Sequence, residues 1–331
     1  MSIKIKRIDI SGLFDTKNVI WELSDLNILV GKNGLGKSTI LQLIKAAVTD
    51  DFNCTELKLC TAIEINFNDE SSISLSSNTL ISPKKFKDNI IKKYINSGDF
   101  EISFNKMINE ALSKSDIKEL PEDLKKNLER EYLKNLTSED GITKFLKNKK
   151  NNSMDFPVEY ISTVNLSANS INNITTSDGK TTNFLDFEIK EELNRLFFSK
   201  NNKKNIKDLI LVLNNMFKDS DKKVSIHNNN LKIHLKNGQS IGYESLSSGE
   251  RQVIYIFIKV INANENNALI LMDEPEISLH LSWQESLLSE IRKVNKNSQI
   301  IIVTHSPAIV MNGWMDSFID IKDILVEKES D

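Results

Sequence analysis

The sequence predicts an α/β fold in which a parallel sheet with helical crossovers carries the core and a second, antiparallel layer covers it. Three observations point there. After residue 245 the chain alternates helix, strand (268–272), helix (278–294) and strand (299–303), an order that brings strands parallel with helices on the sheet faces. The runs LNILV (26–30) and ALILM (268–272) are almost wholly apolar, as strands buried on both faces are. The N-terminal segments instead alternate apolar and polar residues, the pattern of strands with one face in the core.

The elements follow in order. Residues 3–10 and 18–23 alternate as strands, and 26–30 is a short buried strand. A helix is predicted from Ser38 to about Val48, and a hairpin from 62–67 and 71–76 around the polar turn 68–70. Residues 84–150 change character. They are rich in Lys, Glu, Asn and Leu, with helical periodicity broken near Gly98, Pro121 and Gly141, and 16 Lys/Arg against 12 Asp/Glu give a local charge of +4. We read a helical insertion over about 84–153, set into one domain whose core lobe spans about 1–80 and 155–331. Residues 158–166 return to strand, 169–183 form a polar loop, and 187–198 and 206–217 are amphipathic helices. A second hairpin occupies 223–240, turning at 228–230. From Ser247 a helix begins whose run 253–260, VIYIFIKV, is apolar enough to be buried.

Bulk properties narrow the function. The 331 residues, 39% hydrophobic, suffice for a sizeable core. A net charge of −3 excludes a wholly basic nucleic-acid binder but not a local basic patch. Cys54 and Cys60 make neither a disulfide framework nor a zinc knuckle and read as ordinary thiols. The N-terminus lacks a signal-peptide pattern, and no apolar stretch approaches the roughly 18 residues of a membrane span, so a cytoplasmic protein without membrane attachment is expected.

Chemistry concentrates in four places. Residues 31–38, GKNGLGKS, fit G-x-x-x-x-G-K-[ST] between a predicted strand and a predicted helix. The backbone of Gly31, Asn33, Gly34 and Gly36 would cradle phosphates, Lys37 would reach the β- and γ-phosphates, Ser38 would ligate Mg²⁺ and Thr39 would help hold the α-phosphate. The strand ALILM ends in Asp273, placed to hold Mg²⁺, and Glu274, placed to polarise an attacking water. IIIVTHSP ends its strand at His305, which can donate to a γ-phosphate oxygen. Finally, residues 246–250, LSSGE, open the buried helix, and a helix N-terminus presents roughly half a positive charge to an anion.

Residues 31–38, LSSGE, LILMDE (269–274), EISLH (276–280) and VTHS (303–306) together resemble the ordered motif set of ABC-type ATPases. These would be the Walker A loop, signature, Walker B, D-loop and switch histidine of a head with a RecA-like parallel core, an antiparallel β layer and a helical subdomain. The signature is usually LSGGQ. Ser248 and Glu250 here resemble the soluble SMC, RecF and OLD-like branch, as does DEPEISLH. The resemblance implies ATP and Mg²⁺ as ligands, with Lys37, Glu274 and His305 catalytic. It also implies a homodimer or higher homo-oligomer with head-to-tail heads, in which Ser247, Ser248, Gly249 and Glu250 of one copy meet the γ-phosphate held by another. One departure stands out: no glutamine lies between Gln42 and Gln239. The ligand expected after the first lobe would fall to Asn165, Ser167, Asn169 or water, and Phe14 is the candidate for adenine stacking.

Within that branch the sequence is most similar to heads of bacterial defence ATPases of the Septu, PARIS and retron kind. Such heads act with a nuclease, either fused or supplied as a separate Toprim or HNH protein. The chain carries no metal-binding cluster of acids and histidines suited to a nuclease, so a separate effector is expected. A RecF- or SMC-like DNA-binding ATPase is the alternative. The basic excess in 84–150 and the cluster Lys200, Lys203, Lys204 and Lys207 would serve DNA, although interleaved acids favour a solvated surface. A transporter subunit fits less well, because about 200 residues separate Ser38 from Ser247.

Overall fold

The computed structural model describes residues 3–77, 142–147, 156–163, 173–175 and 181–327. Most of the insertion expected at 84–153 lies outside the described residues. Five parallel strands form the central sheet in the order β15 (Phe318–Asp320), β3 (Leu26–Val30), β14 (Ile300–Thr304), β13 (Leu269–Asp273) and β7 (Val158–Ser162). Their side chains alternate between two cores. Ile28, Ile270, Met272, Ile300 and Ile302 face one, while Leu29, Leu269, Leu271, Ile301 and Val303 face the other. Both faces are therefore covered, which is why these strands are apolar throughout.

The first core is closed by four helices, α2 (Phe184–Phe197), α3 (Asn202–Met216), α4 (Ser248–Asn264) and α5 (Leu281–Val294). In α4, Val253, Ile254, Ile256, Phe257, Ile258 and Val260 are fully buried, as their continuous apolar run predicts. Burying each such side chain contributes about 1.5–3 kcal/mol. A three-stranded sheet of β10 (Lys223–His227), β11 (Asn230–His234) and β12 (Ser240–Ile241) packs on this side through Val224, Leu231 and Ile233.

The second core encloses α1 (Lys37–Thr49), whose Ile40, Leu41, Leu43, Ile44 and Ala47 are buried on all sides. Its lid is a six-stranded antiparallel sheet in the order β16 (Leu325–Glu327), β2 (Lys17–Glu22), β1 (Ile5–Leu13), β4 (Ala62–Phe67), β5 (Ser72–Ser77) and β6 (Ile142–Lys147). Gln299 couples the layers at its foot: its amide takes the Ile5 amide proton at 2.8 Å and donates to the Ile5 carbonyl at 2.7 Å.

Two local readings change. Residues 142–147, read within the helical insertion, form an antiparallel strand on β5, pairing Ser77 with Ile142 and Ser72 with Lys147. The paired edge of β5 overrides the weak helical period. The polar loop expected at 169–183 contains a small hairpin of β8 (Asn173–Thr175) and β9 (Thr181–Asn183), and the intervening sequence carries Asp178-Gly179, a turn signal passed over in favour of polarity. Further on, residues 318–327 supply two short strands, β15 in the parallel sheet and β16 in the antiparallel sheet, linked by the turn of helix 321–324.

Candidate active site

Register lines up the chemistry. In the parallel sheet Val30 pairs with Thr304, and Asp273 pairs with both Val303 and Ser162. The carboxyl ends of four adjacent strands thus deliver the phosphate loop, the acidic pair, His305 and Thr163 to one edge, where open α/β sheets bind their ligands. A cleft of about 870 Å³ opens there, lined by Phe14, the phosphate loop, Glu274, Glu276, Ser278 and His305.

Gly36 caps α1 with φ 97°, and a Cβ there would sit 2.8 Å from the Phe14 ring, so both backbone and space demand glycine. The same contact brings Phe14 over the phosphate loop. Lys37 is buried, and its Nζ donates to the carbonyls of Gly31 (2.9 Å) and Lys32 (3.2 Å). Ser38 Oγ donates to Asp273 Oδ1 at 2.8 Å. On the other oxygen, the Tyr160 hydroxyl donates to Asp273 Oδ2 at 3.2 Å and itself accepts from Gln42 Nε2 at 2.7 Å. Burial raises the Asp273 carboxyl above its ordinary range, and these two hydroxyls and Lys37 pull it back.

Glu274 carries the strain of the site. Its backbone is left-handed (φ 49°), unusual for a non-glycine residue. Its N–H donates to the Val303 carbonyl at 2.9 Å, and its carbonyl takes the hydroxyl of buried Thr163. The carboxylate is pinned at both oxygens. Oε1 lies 2.8 Å from His305 Nε2, and Oε2 accepts from the His305 amide at 3.1 Å. Burial and the neighbouring Glu276 push its pKa up to about 8. His305 Nε2 lies 3.0 Å from Lys37 Nζ, and burial followed by the Lys37 charge lowers its pKa, favouring neutral imidazole. Lysine, histidine and carboxylate form one contiguous chain across the cleft.

The hydroxyl of Ser38 and the carboxylate of Asp273 are hard oxygen donors side by side, which suits Mg²⁺ held by few protein ligands and by substrate phosphates. Among the described residues no cluster of three or more His, Cys, Asp or Glu side chains forms a dedicated metal cage. The donors present fit the former arrangement.

Ser247, Ser248, Gly249 and Glu250 lie elsewhere; none lines the cleft. Exposed Ser247 caps α4 in a capping box: its Oγ accepts from the Glu250 amide (3.4 Å), while Glu250 Oε2 accepts from the Ser247 amide at 3.0 Å and hydroxyl at 2.9 Å. Gly249 packs on the D-loop, where a Cβ would meet the Ser278 carbonyl oxygen at 2.4 Å. Glu250 is buried. Burial pushes its carboxyl up, but an ion pair with Lys222 and the Ser247 bonds bring it below the ordinary value. Lys222→Ala is expected to destabilise the fold by about 1–3 kcal/mol by stranding that carboxylate, and Glu250→Gln should restore part of the loss. Urea unfolding checks this; an unchanged midpoint would contradict it.

Sequence reasoning missed Tyr160 and Glu276. Tyr160 was hidden in a strand alternation, although a tyrosine facing a carboxylate-bearing neighbour strand could have been paired with Asp273. Glu276 was visible as the second acid of DEPE, but its partners at 304–306 were not. Asn165, Ser167 and Asn169, read as glutamine substitutes, lie outside the described residues. His280 is exposed at the start of α5, its ring bonded to Ser282 Oγ at 3.0 Å.

Sheet order, phosphate loop and strand-end acids together define an ABC-type ATPase head of mixed α/β architecture. The solved structure titled "Crystal structure of the SmcHead bound to the C-winged helix domain of ScpA" shares this fold, with a TM-score of 0.54 over 93% of this chain and 92% of that one, at 13% identity. The chain belongs to the family described as "AAA domain, putative AbiEii toxin, Type IV TA system", which matches residues 26–312. It is similar to the Septu protein PtuA of Bacillus thuringiensis, 25% identical over 95% of this chain and 75% of that protein. Shorter matches join it to the Retron Ec83 probable ATPase of Escherichia coli (33% identical, 22% of this chain) and the Retron Vc95 probable ATPase of Vibrio cholerae (30% identical, 23% of this chain). The matched segments span only 16% and 17% of those two proteins.

Proposed function

We propose that this protein is a Mg²⁺-dependent ATP hydrolase whose heads pair head to tail around ATP and so switch a separate effector in anti-phage defence. One observation carries the pairing. Ser247 is an exposed N-terminal cap that takes no part in the chain's own cleft, although its motif belongs to the same chemistry. A helix N-terminus facing solvent has a use if a second copy brings the phosphate. Within the cleft, Lys37 and the phosphate loop bind the β- and γ-phosphates, while Ser38 and Asp273 would hold Mg²⁺, which would neutralise phosphate charge. Glu274 orients the attacking water and accepts its proton, His305 donates to the γ-phosphate, and Phe14 covers the base.

The defence role is supported by the likeness to proteins named for Septu and retron systems, and the resemblance set out above implies a Toprim or HNH nuclease as the effector. Light scattering tests the pairing: Glu274→Gln with ATP and Mg²⁺ should run as a dimer and without nucleotide as a monomer. A mass independent of nucleotide would sink it. DNA binding is the second reading, favoured by the exposure of Lys200, Lys203, Lys204 and Lys207 around the start of α3. Neutralising several phosphates would give a steep log–log salt slope, whereas a flat slope would remove this reading.

A further inference from the structure

Three donors from three consecutive residues converge on one oxygen of Glu276. Its Oε1 accepts from Thr304 Oγ1 at 2.5 Å, from the His305 amide at 2.9 Å and from the Ser306 amide at 3.1 Å. A carboxylate oxygen has two lone pairs, so three donors saturate it. Its other oxygen, Oε2, is buried and takes no hydrogen bond among the described residues. Oε1 is therefore turned toward the strand end that carries His305, while the side chain also borders the cleft beside Glu274.

We propose that Glu276 is a positioning residue that clamps the His305 loop, so that the imidazole keeps its place between Lys37 and Glu274. The catalytic half of this inference rests on the ATPase reading above; the structural half does not need nucleotide.

The clamp itself is rigid. Glu276 is 6% exposed. Its backbone is tied on both sides: Gln252 Nε2, from the second turn of the signature helix, donates to the Pro275 carbonyl at 3.1 Å, and the Leu279 amide donates to the Glu276 carbonyl at 2.9 Å. The loop has further bonds, from the His305 amide to Glu274 Oε2 (3.1 Å), from the Ser306 amide to Thr304 Oγ1 (2.9 Å) and from the Ser306 hydroxyl to Gln284 Oε1 (2.6 Å), but among the described residues Glu276 Oε1 is the acceptor that joins all three residues 304–306. Strand β14 ends at Thr304, and the next ordered turn begins only at Pro307. Between them the amides of His305 and Ser306 need acceptors, and hydrogen bonds to a charged acceptor are roughly twice as strong as those between neutral groups. The His305 side chain is meanwhile 38% exposed in the cleft. Its backbone is held from below while its ring is presented to the ligand. The route Gln252–Pro275–Glu276–His305 also joins the signature helix to the catalytic histidine by direct hydrogen bonds.

The clamp needs an acceptor at Oε1 but not a negative charge. Glu276→Gln keeps a carbonyl oxygen for the three donors, whereas Glu276→Ala removes it. Hydrogen–deuterium exchange of ligand-free protein, read on the peptide containing His305 and Ser306, should show faster exchange in Glu276→Ala and near wild-type protection in Glu276→Gln. In ATPase assays Glu276→Ala should lose roughly 10–10²-fold in kcat, the scale of an ångström-level misplacement, with KM for ATP within about twofold, and Glu276→Gln should recover most of it. Should Glu276→Ala not fold, Thr304→Val removes one of the three donors with its shape preserved and should show the same changes at smaller size. Unchanged exchange in Glu276→Ala or, if that fails to fold, in Thr304→Val would overturn the clamp, as would Glu276→Gln proving as damaged as Glu276→Ala. A wild-type chain that hydrolyses no ATP would instead overturn the ATPase reading, and the exchange comparison would still decide the clamp.

Discussion

Glu274→Gln is expected to hydrolyse ATP roughly 10²–10⁴-fold more slowly than the wild-type chain while binding it about as well. Glutamine keeps the shape of the side chain and one acceptor oxygen for the His305 amide but cannot take a proton from water. The nucleotide contacts proposed for Lys37 and Ser38 come from a different strand end, so affinity should persist. The left-handed backbone of Glu274, the Thr163 hydroxyl on its carbonyl and the two bonds to His305 all fix where the carboxylate stands. Such preorganisation is what the role proposed for Glu274 requires. Equilibrium binding of a fluorescent nucleotide together with single-turnover hydrolysis separates the two effects. Turnover near the wild-type rate would remove Glu274 as the base.

Ser247→Arg should abolish ATP-driven pairing and lower turnover by about 10²-fold or more, the scale of losing a preorganised anion-stabilising group. Arginine places bulk and charge at an exposed cap, and losing the cap itself costs only about 0.5–2 kcal/mol, which a fold of this size tolerates. Because the cap does not line the chain's own cleft, nucleotide binding to the single head should remain. Light scattering and a binding isotherm on the same preparation check both statements.

How much of this was legible in the sequence depends on the range of the forces involved. The parallel core was readable because strands buried on both faces must be apolar throughout, and β3, β13 and β14 are. The phosphate loop was readable because glycine spacing and the Lys37-Ser38 pair are local requirements. The placement of Asp273 against Ser38 followed from the motifs' order, and the structure brings them within 2.8 Å across 235 residues. Strand 142–147 was not legible, because its partner β5 lies more than 60 residues away and its own composition matches the Lys-, Glu- and Asn-rich sequence around it. Tyr160 and Glu276 escaped for a similar reason. Their roles arise from neighbours on other strands, and only the register of the sheet brings those neighbours within reach. The capping box that ties Ser247 to Glu250 was half legible: the helix start at Ser247 could be read, but the Lys222 partner of Glu250 comes from the residue just before β10.

The central claim is that one active site is built from two chains. Mixing Ser247→Arg with Lys37→Ala tests it most directly. Each variant alone lacks one half of every composite site and should be nearly inactive. A head-to-tail pair of the two retains one intact site, with Lys37 from the first chain and Ser247 from the second. The account predicts partial recovery of ATPase activity on mixing, greatest near equal amounts. No recovery at any ratio, with both variants folded and able to associate, would contradict it.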